Sequence, residues 1–355
     1  MAAGSSGVRA LTALAEAARG PGGRTTNLTL FLVILLAFAT GVGAVAAGSP
    51  SGRWVAVSHG IVGLAVVLLV PWKGRVVRRG LRRARPSRWL SLLLMVLTVT
   101  TLLAGIAHGT GVVRSAGAVT VLWLHVAAAL ALAPLVLWHA VARPARPRRG
   151  DLSRRTVLRL GLLGAAAITL YVTTTAAVAA TGLPGARRRF TGSYDTGSFD
   201  PAAMPNTIWL DDTAPAVDPD RWRLDVVTDA GSRSLMMADL ATSRVPLRAT
   251  LDCTSGWYAE QDWAGVPVST LLPAVGDARS LLVHSATGYQ VRFPIGDLDR
   301  LLLATHVGGE PLSRGHGFPL RLVAPDRRGF WWVKWVDRIE LQDVPAWLQP
   351  PFPLT

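Results

Sequence analysis

A single cysteine, Cys253, stands in 355 residues. That excludes a disulfide framework and any cysteine-rich zinc or iron–sulfur centre, and leaves the thiol as either a small buried hydrophobe or one special ligand. Lysine is almost missing as well, with Lys73 and Lys334 alone, so arginine carries the basic character. Acidic residues are scarce in one half. Residues 1–189 hold 23 of the 37 Lys/Arg against only Glu16 and Asp151, about +21, whereas 190–355 hold 14 basic and 20 acidic residues, about −6. A net charge of +15 would ordinarily point to nucleic acid. Arginines confined to short loops between apolar runs are better explained by membrane topology, and no nucleic-acid partner is expected. With 50% hydrophobic residues and a mean hydropathy of +0.35, the chain is too apolar for one soluble globule. Two differently made halves meet near residue 185.

The runs Asn27–Gly48, Trp54–Trp72, Trp89–His108, Ala116–Val141 and Thr156–Gly182 are long enough, at about 20 residues each, to cross a ~30 Å hydrocarbon layer. They predict an all-α bundle of five transmembrane helices over residues 27–182, after a tail at 1–26, with the lipid bilayer as its partner. The loops at 73–88 and 143–159 are rich in arginine, whereas the intervening loops offer Arg53 and Arg114 alone. By the positive-inside rule the N-terminus is cytoplasmic, the protein is a multi-pass cell-membrane protein, and everything after the fifth helix is extracytoplasmic. Ser153-Arg154-Arg155-Thr156-Val157-Leu158-Arg159, followed by an Ala/Leu/Gly run, resembles a twin-arginine export signal, which serves domains already folded around a cofactor. Ala177-Val178-Ala179 offers a cleavage site, but a segment of this length behind four helices is expected to stay as an anchor.

Histidine inside lipid is costly and points to function. His59 and His125 fall at similar depths, roughly 8–14 Å below the outer boundary at 1.5 Å per residue, on parallel helices. His139 follows His125 by fourteen residues on nearly the same helix face, and His108 ends the third helix. This spacing resembles the di-haem cytochrome b pattern, only half kept because the matching inner position of the second helix falls at Trp72 or Lys73. It implies one haem b between His59 and His125, with interhelical polar contacts as the alternative.

The second half differs in kind. Residues 183–216 are polar and rich in Gly, Pro and Asp, as a linker would be. An α+β domain with a mixed β-sheet is expected over 217–345, with contacts from about 205, before a tail at 346–355. Strand patterns occur at Arg221–Val227, Leu247–Cys253, Ser280–Ser285, Tyr289–Pro294, Leu301–Val307, Pro319–Val323, Phe330–Trp335 and Arg338–Gln342. Helical stretches are expected around Met236–Thr242, Val268–Val275 and Asp297–Leu302.

Cys253 ends one of these strands and precedes the turn Thr254-Ser255-Gly256, which would present a soft metal ligand at a sheet edge. Lys334 lies inside the apolar run Phe330–Trp335 and Arg321 follows Gly317-Phe318-Pro319-Leu320. With His316, these cations could converge on one anion such as a phosphate. Leu251-Asp252-Cys253 with Trp257, Trp263, Gly265 and Pro267, then His316-Gly317-Phe318-Pro319-Leu320-Arg321-Leu322-Val323 and Val333-Lys334-Trp335, resemble the sulfite-oxidase family of molybdopterin-binding oxidoreductases over about residues 205–342. The resemblance implies Cys253 as the protein thiolate on molybdenum, and His316, Arg321, Trp332, Val333 and Lys334 as the holders of the molybdopterin. Asn206 is a further candidate there. An aromatic residue after Cys253, with no arginine cluster, is closer to the periplasmic methionine-sulfoxide reductase branch. The Asn-His-Leu-Pro-type loop of sulfite oxidases is replaced by Trp209-Leu210-Asp211-Asp212-Thr213-Ala214-Pro215. The sequence ends too soon after Leu341 for the immunoglobulin-like dimerisation domain of sulfite oxidases, so a monomer is expected.

The two halves together predict a membrane-anchored molybdopterin oxidoreductase that reduces an S-oxide or N-oxide, such as methionine sulfoxide in an oxidised protein. Its electrons come from the quinol pool or another membrane partner. Trp257, Tyr258 and Glu260 or Asp262 are candidates for the substrate pocket. One alternative is oxidation of a small anion such as sulfite, with Arg248 and Arg292 as substrate ligands. The other is a cofactor-free binding module on a helical anchor.

Overall fold

The computed structural model describes residues 23–81, 87–117, 119–145, 148, 151, 153–208 and 213–350. Arg82, Arg83, Arg85, Arg146 and Arg149 of the arginine-rich loops, the Trp209–Asp212 run and most of the two tails lie outside the described residues. The chain divides into two compact units, Met1–Val42 with Val55–Ala186, and Gly43–Trp54 with Arg187–Thr355.

The first unit consists of α1 (Gly23–Ala46), α2 (Arg53–Leu81), α3 (Arg88–Thr110), α4 (Val121–Ala142) and α5 (Arg154–Ala180). All five are long and apolar enough to cross a membrane. Many apolar side chains on α1, α3 and α5 face outward, among them Leu36, Leu103 and Leu162, which in water would be unfavourable and in lipid is not. Val33, Ala65, Val66, Leu69 and Ala167 form the buried seam where α1, α2 and α5 meet, and α3 packs along α4. The expected fourth helix starts later than Ala116. β1 (Ser115–Ala116) and β2 (Val119–Thr120) form a short hairpin first, and Thr120 caps α4 by accepting the backbone N–H of Trp123 at 3.2 Å. Ser153 caps α5 in the same way, so the twin-arginine-like residues Arg154 and Arg155 occupy its first turn.

The second unit holds two sheets. In one, β6 (Val245–Asp252), β7 (Trp257–Pro267), β10 (Leu302–Val307), β11 (Glu310–Pro311) and β12 (Arg321–Val323) pair antiparallel, and β3 (Tyr194–Asp195) adds to β7 in parallel. The other is ordered β5 (Gly231–Leu235), β4 (Leu224–Thr228), β13 (Val336–Gln342), β8 (Ser280–Ser285), β9 (Gln290–Pro294), with β4–β13 parallel and the rest antiparallel. Short helices α6 (Met237–Ala241) and α7 (Val268–Leu271) connect strands. Trp263, Phe293, Leu303, Leu322 and Ile339 are wholly enclosed in one apolar core fed by both sheets. Burial of this kind contributes roughly 25 cal/mol per Å².

Two expectations need correction. Much of the 183–216 segment is not a linker: Ser193, Tyr194 and Met204 are buried and β3 is a sheet strand. Its order comes from specific polar bonds, such as Gln261 Nε2 to the Gly197 carbonyl at 2.5 Å and the Glu260 N–H to Ser198 Oγ at 3.0 Å, and not from apolar periodicity. Phe330–Trp335 is not a strand either. It is a 3₁₀ turn at Gly329–Trp331 followed by irregular chain, with Trp335 at φ +51°, in the left-handed region.

Candidate active site

The β6–β7 hairpin places the thiol. Cys253 N–H donates to the Trp257 carbonyl at 2.9 Å and Gly256 N–H to the Cys253 carbonyl at 3.2 Å, and Gly256, at φ +97°, takes a conformation that side chains avoid. Cys253 therefore sits at the closed end of the hairpin, 8% exposed, with Sγ 3.0 Å from Ser255 Oγ. It lines a pocket shared with Trp257, Arg321, Phe330, Trp332 and Lys334.

Arg321 begins β12 and is 2% exposed. One Nη donates to the His316 carbonyl at 3.0 Å, and the Trp263 and Trp332 rings flank the guanidinium at 5.5 and 5.8 Å. Its buried Nε finds no partner, and no carboxylate pairs with it among the described residues. Burial pulls its pKa down to about 10, opposed by the nearby Cys253 sulfur, so it stays a cation at neutral pH. An enclosed cation without an acid costs several kcal/mol, and this pocket calls for an anion.

Lys334 Nζ donates to Asn206 Oδ1 (2.8 Å), the Thr207 carbonyl (2.8 Å) and the Gly315 carbonyl (2.6 Å). Asn206 is thus drawn to the site, and it needs glycine opposite: a Cβ on Gly315 would lie 1.9 Å from its amide. Trp257 Nε1 donates to Thr207 Oγ1 at 3.1 Å, tying the same segment to the hairpin.

Other candidates sit differently. His316 has both ring nitrogens engaged by protein, Ser313 Oγ at 2.9 Å and the Met204 carbonyl at 3.1 Å, and is a brace between two loops. Burial and the Arg321 charge hold its pKa below the usual value. Val333 is packed in the core at 1% exposure, its carbonyl accepting from Leu322. Tyr258 is off the pocket, because successive strand residues face opposite ways; its ring meets the Arg189 guanidinium at 5.4 Å. Arg248 is bound to Asp262 on an exposed strand pair, which also removes Asp262 from the pocket candidates; Glu260 does not line it either. Arg292 donates to Gln342, away from the pocket. Neither arginine is placed to bind substrate there.

The sequence reading missed Arg328, which is 2% exposed beneath the Cys253 loop. It donates to Asp252 Oδ1 at 2.5 Å and to the Cys253 carbonyl at 3.1 Å. Asp326-Arg327-Arg328-Gly329 reads as a solvated turn, and only the acid directly before the cysteine hints at a buried partner.

The family described as "oxidoreductase molybdopterin binding domain" matches residues 212–347. These residues form a molybdopterin-binding oxidoreductase domain. A match to an oxidoreductase domain over these residues leaves the cofactor-free binding module without support. Mitochondrial sulfite oxidase of Rattus norvegicus is 28% identical over 165 residues, 36% of this chain and 30% of that protein. NADPH nitrate reductase of Phytophthora infestans is 35% identical over 96 residues, 23% of this chain and 10% of that one. The uncharacterized oxidoreductase YuiH of Bacillus subtilis is 30% identical over 106 residues, 28% of this chain and 54% of that one. The chain thus spans less than a third of the length of the sulfite oxidase it matches. Among solved structures, the sulfane dehydrogenase SoxCD of Paracoccus pantotrophus aligns with a TM-score of 0.35 at 27% identity, covering 37% of this chain and 40% of that one. The molybdopterin-binding domain contains all the pocket residues from Leu251 to Trp335, while Asn206 and Thr207 come from the segment before it.

In the helical unit, the His59 and His125 rings meet edge to face with centroids 6.0 Å apart at 79°. His59 Nδ1 is bound to the Ala37 carbonyl (3.1 Å) and His125 Nδ1 to the Thr101 carbonyl (2.8 Å). A Cβ on Gly41 or Gly105 would meet these rings at 3.1 or 3.0 Å, so both flanking positions are kept bare. Among the described residues no cluster of three or more His, Cys, Asp or Glu side chains forms a metal site.

Proposed function

We propose that the chain is a membrane-spanning molybdopterin enzyme that reduces an S-oxide or N-oxide on the extracytoplasmic side, with electrons from the quinol pool or another membrane donor. The observation that carries the reading is the sharing of one pocket by the only thiol and an enclosed, acid-free guanidinium. Cys253 supplies the thiolate, Arg321 and Lys334 supply positive charge for the anionic cofactor, and Trp332 walls it. When bound, the molybdenum cofactor supplies two-electron oxygen-atom transfer. His316 and Asn206 hold the surrounding loops and the lysine in place. Trp257 and Phe330 add apolar, aromatic surface to the pocket lining, which favours a neutral S-oxide over an inorganic oxyanion.

A haem b in the helical unit would be held by His59 and His125. Their Nδ1 atoms are occupied by carbonyls, which fixes the tautomer and leaves Nε2 as the ligand atom. We take the enzyme to be a monomer in the cell membrane, with its N-terminus cytoplasmic.

The test is a substrate panel in spheroplasts with a reduced viologen donor, containing an oxidised protein, small S-oxides and N-oxides, nitrate, and sulfite with an acceptor. Turnover of the oxidised protein, which cannot cross a bilayer, together with the small S-oxides is expected. Turnover of sulfite or nitrate alone would contradict the substrate class, and activity only after lysis would contradict the side.

A further inference from the structure

We propose that Arg328 is a positioning residue for the metal-bearing thiolate: with Asp252 and Arg189 it forms an enclosed charge clamp that fixes the Cys253 backbone and sets the electrostatic potential behind the sulfur. The proposal rests on the reading of Cys253 as the molybdenum ligand.

Arg328 makes two kinds of bond at once, one arm on the Asp252 carboxylate and the other on the Cys253 carbonyl. A backbone bridge joins Asp252 and Arg328 as well, and a Cβ on Gly329 would press on Cys253 Cα at 3.1 Å. The Asp252 carboxylate, 2% exposed, has about four acceptor sites. Three donors reach it, Arg328 and the Thr191 and Ser193 hydroxyls at 2.7 Å each, and Arg189 adds an ion pair with Nε 3.1 Å from the carboxylate. Ser193 Oγ also reaches the Cys253 carbonyl at 3.4 Å. The residue before the thiol is thus held by chain that lies outside the family match.

The charges do not cancel. Two guanidiniums pair with one carboxylate: Arg328 is enclosed and bonded to the Cys253 carbonyl, Arg189 is partly open to solvent and its charge is more screened, and Arg321 lies on the pocket side. A fixed positive charge favours whichever redox state of a neighbouring centre carries more negative charge. The clamp therefore raises the reduction potential of the centre, and its two kinds of member act with opposite sign. A purely structural role would not produce that difference.

The experiment is an EPR-monitored redox titration of the holoenzyme at one pH, with molybdenum content measured on the same samples. Arg328→Gln and Arg189→Gln are expected to shift the midpoint potential down, Asp252→Asn to shift it up, and Arg328→Lys to restore most of the wild-type value. Arg189, with 28% of its side chain exposed, is the milder site, and paired with Asp252→Asn it carries the sign test if Arg328→Gln fails to load. Shifts in the same direction, or none, in molybdenum-replete variants overturn the clamp. Wild-type protein that holds no molybdenum overturns the underlying reading instead.

Discussion

Arg321 is charged, enclosed between two indoles and, among the described residues, provided with no acid, so its burial unpaired works against the folded domain. The group that completes it must be anionic. Replacing Arg321 with Gln therefore has two effects of opposite sign. Loss of a charge-assisted contact worth about 1.5–3 kcal/mol lowers cofactor affinity by about tenfold or more, read as molybdenum per chain. The denaturation midpoint of the cofactor-free domain should hold or rise, because an unpaired buried charge has gone. A fall in that midpoint with molybdenum retained would contradict the role. His316, placed by its motif among the cofactor residues, has Ser313 Oγ and the Met204 carbonyl on its two ring nitrogens, so its ring also braces the loops around the pocket.

At the scale of elements, β7 and β10 approach so closely that a Cβ on Gly265 would fall 2.0 Å from the Leu303 carbonyl oxygen and 2.5 Å from Ala304 Cα. Backbone cannot swing aside as a side chain can. Gly265→Ala is expected to destabilise the domain by about 1–3 kcal/mol, measured by chemical denaturation; an unchanged midpoint would show that the sheet yields there. Strands with continuous apolar runs, such as Ser280–Ser285 and Leu302–Val307, were legible in the sequence because burial on both faces leaves a plain signal. β7 was not. Its inward positions include Gln261, a polar residue that is fully enclosed and bonded to Gly197, so the period-two pattern is broken where a partner bond replaces apolar burial. The β3 segment was hidden for the same reason: Thr191 and Ser193 are held by Asp252, a contact 59 residues or more away in sequence. The five long helices needed only length and composition, but their bounds moved: α1 starts four residues earlier than Asn27, α4 starts five residues later than Ala116 behind a hairpin, and α2 runs on to Leu81 through part of the expected arginine-rich loop.

For the whole molecule, a helical unit and a catalytic unit in one chain make sense if the first carries electrons for the second. The histidine pair gives that idea a spectroscopic handle. If the pair holds a haem as proposed, a reduced-minus-oxidised spectrum of the purified protein should show a b-type band that is lost in both His59→Ala and His125→Ala, since either change would remove one of the two proposed ligands. A band unchanged in both variants would remove the pair as ligands. The thiol can be tested without knowing the substrate or the donor. Molybdenum X-ray absorption of the full-length holoenzyme should show one sulfur neighbour fewer in Cys253→Ser than in wild type, with turnover abolished; an identical sulfur shell in the two proteins would contradict the assignment of Cys253 to the metal.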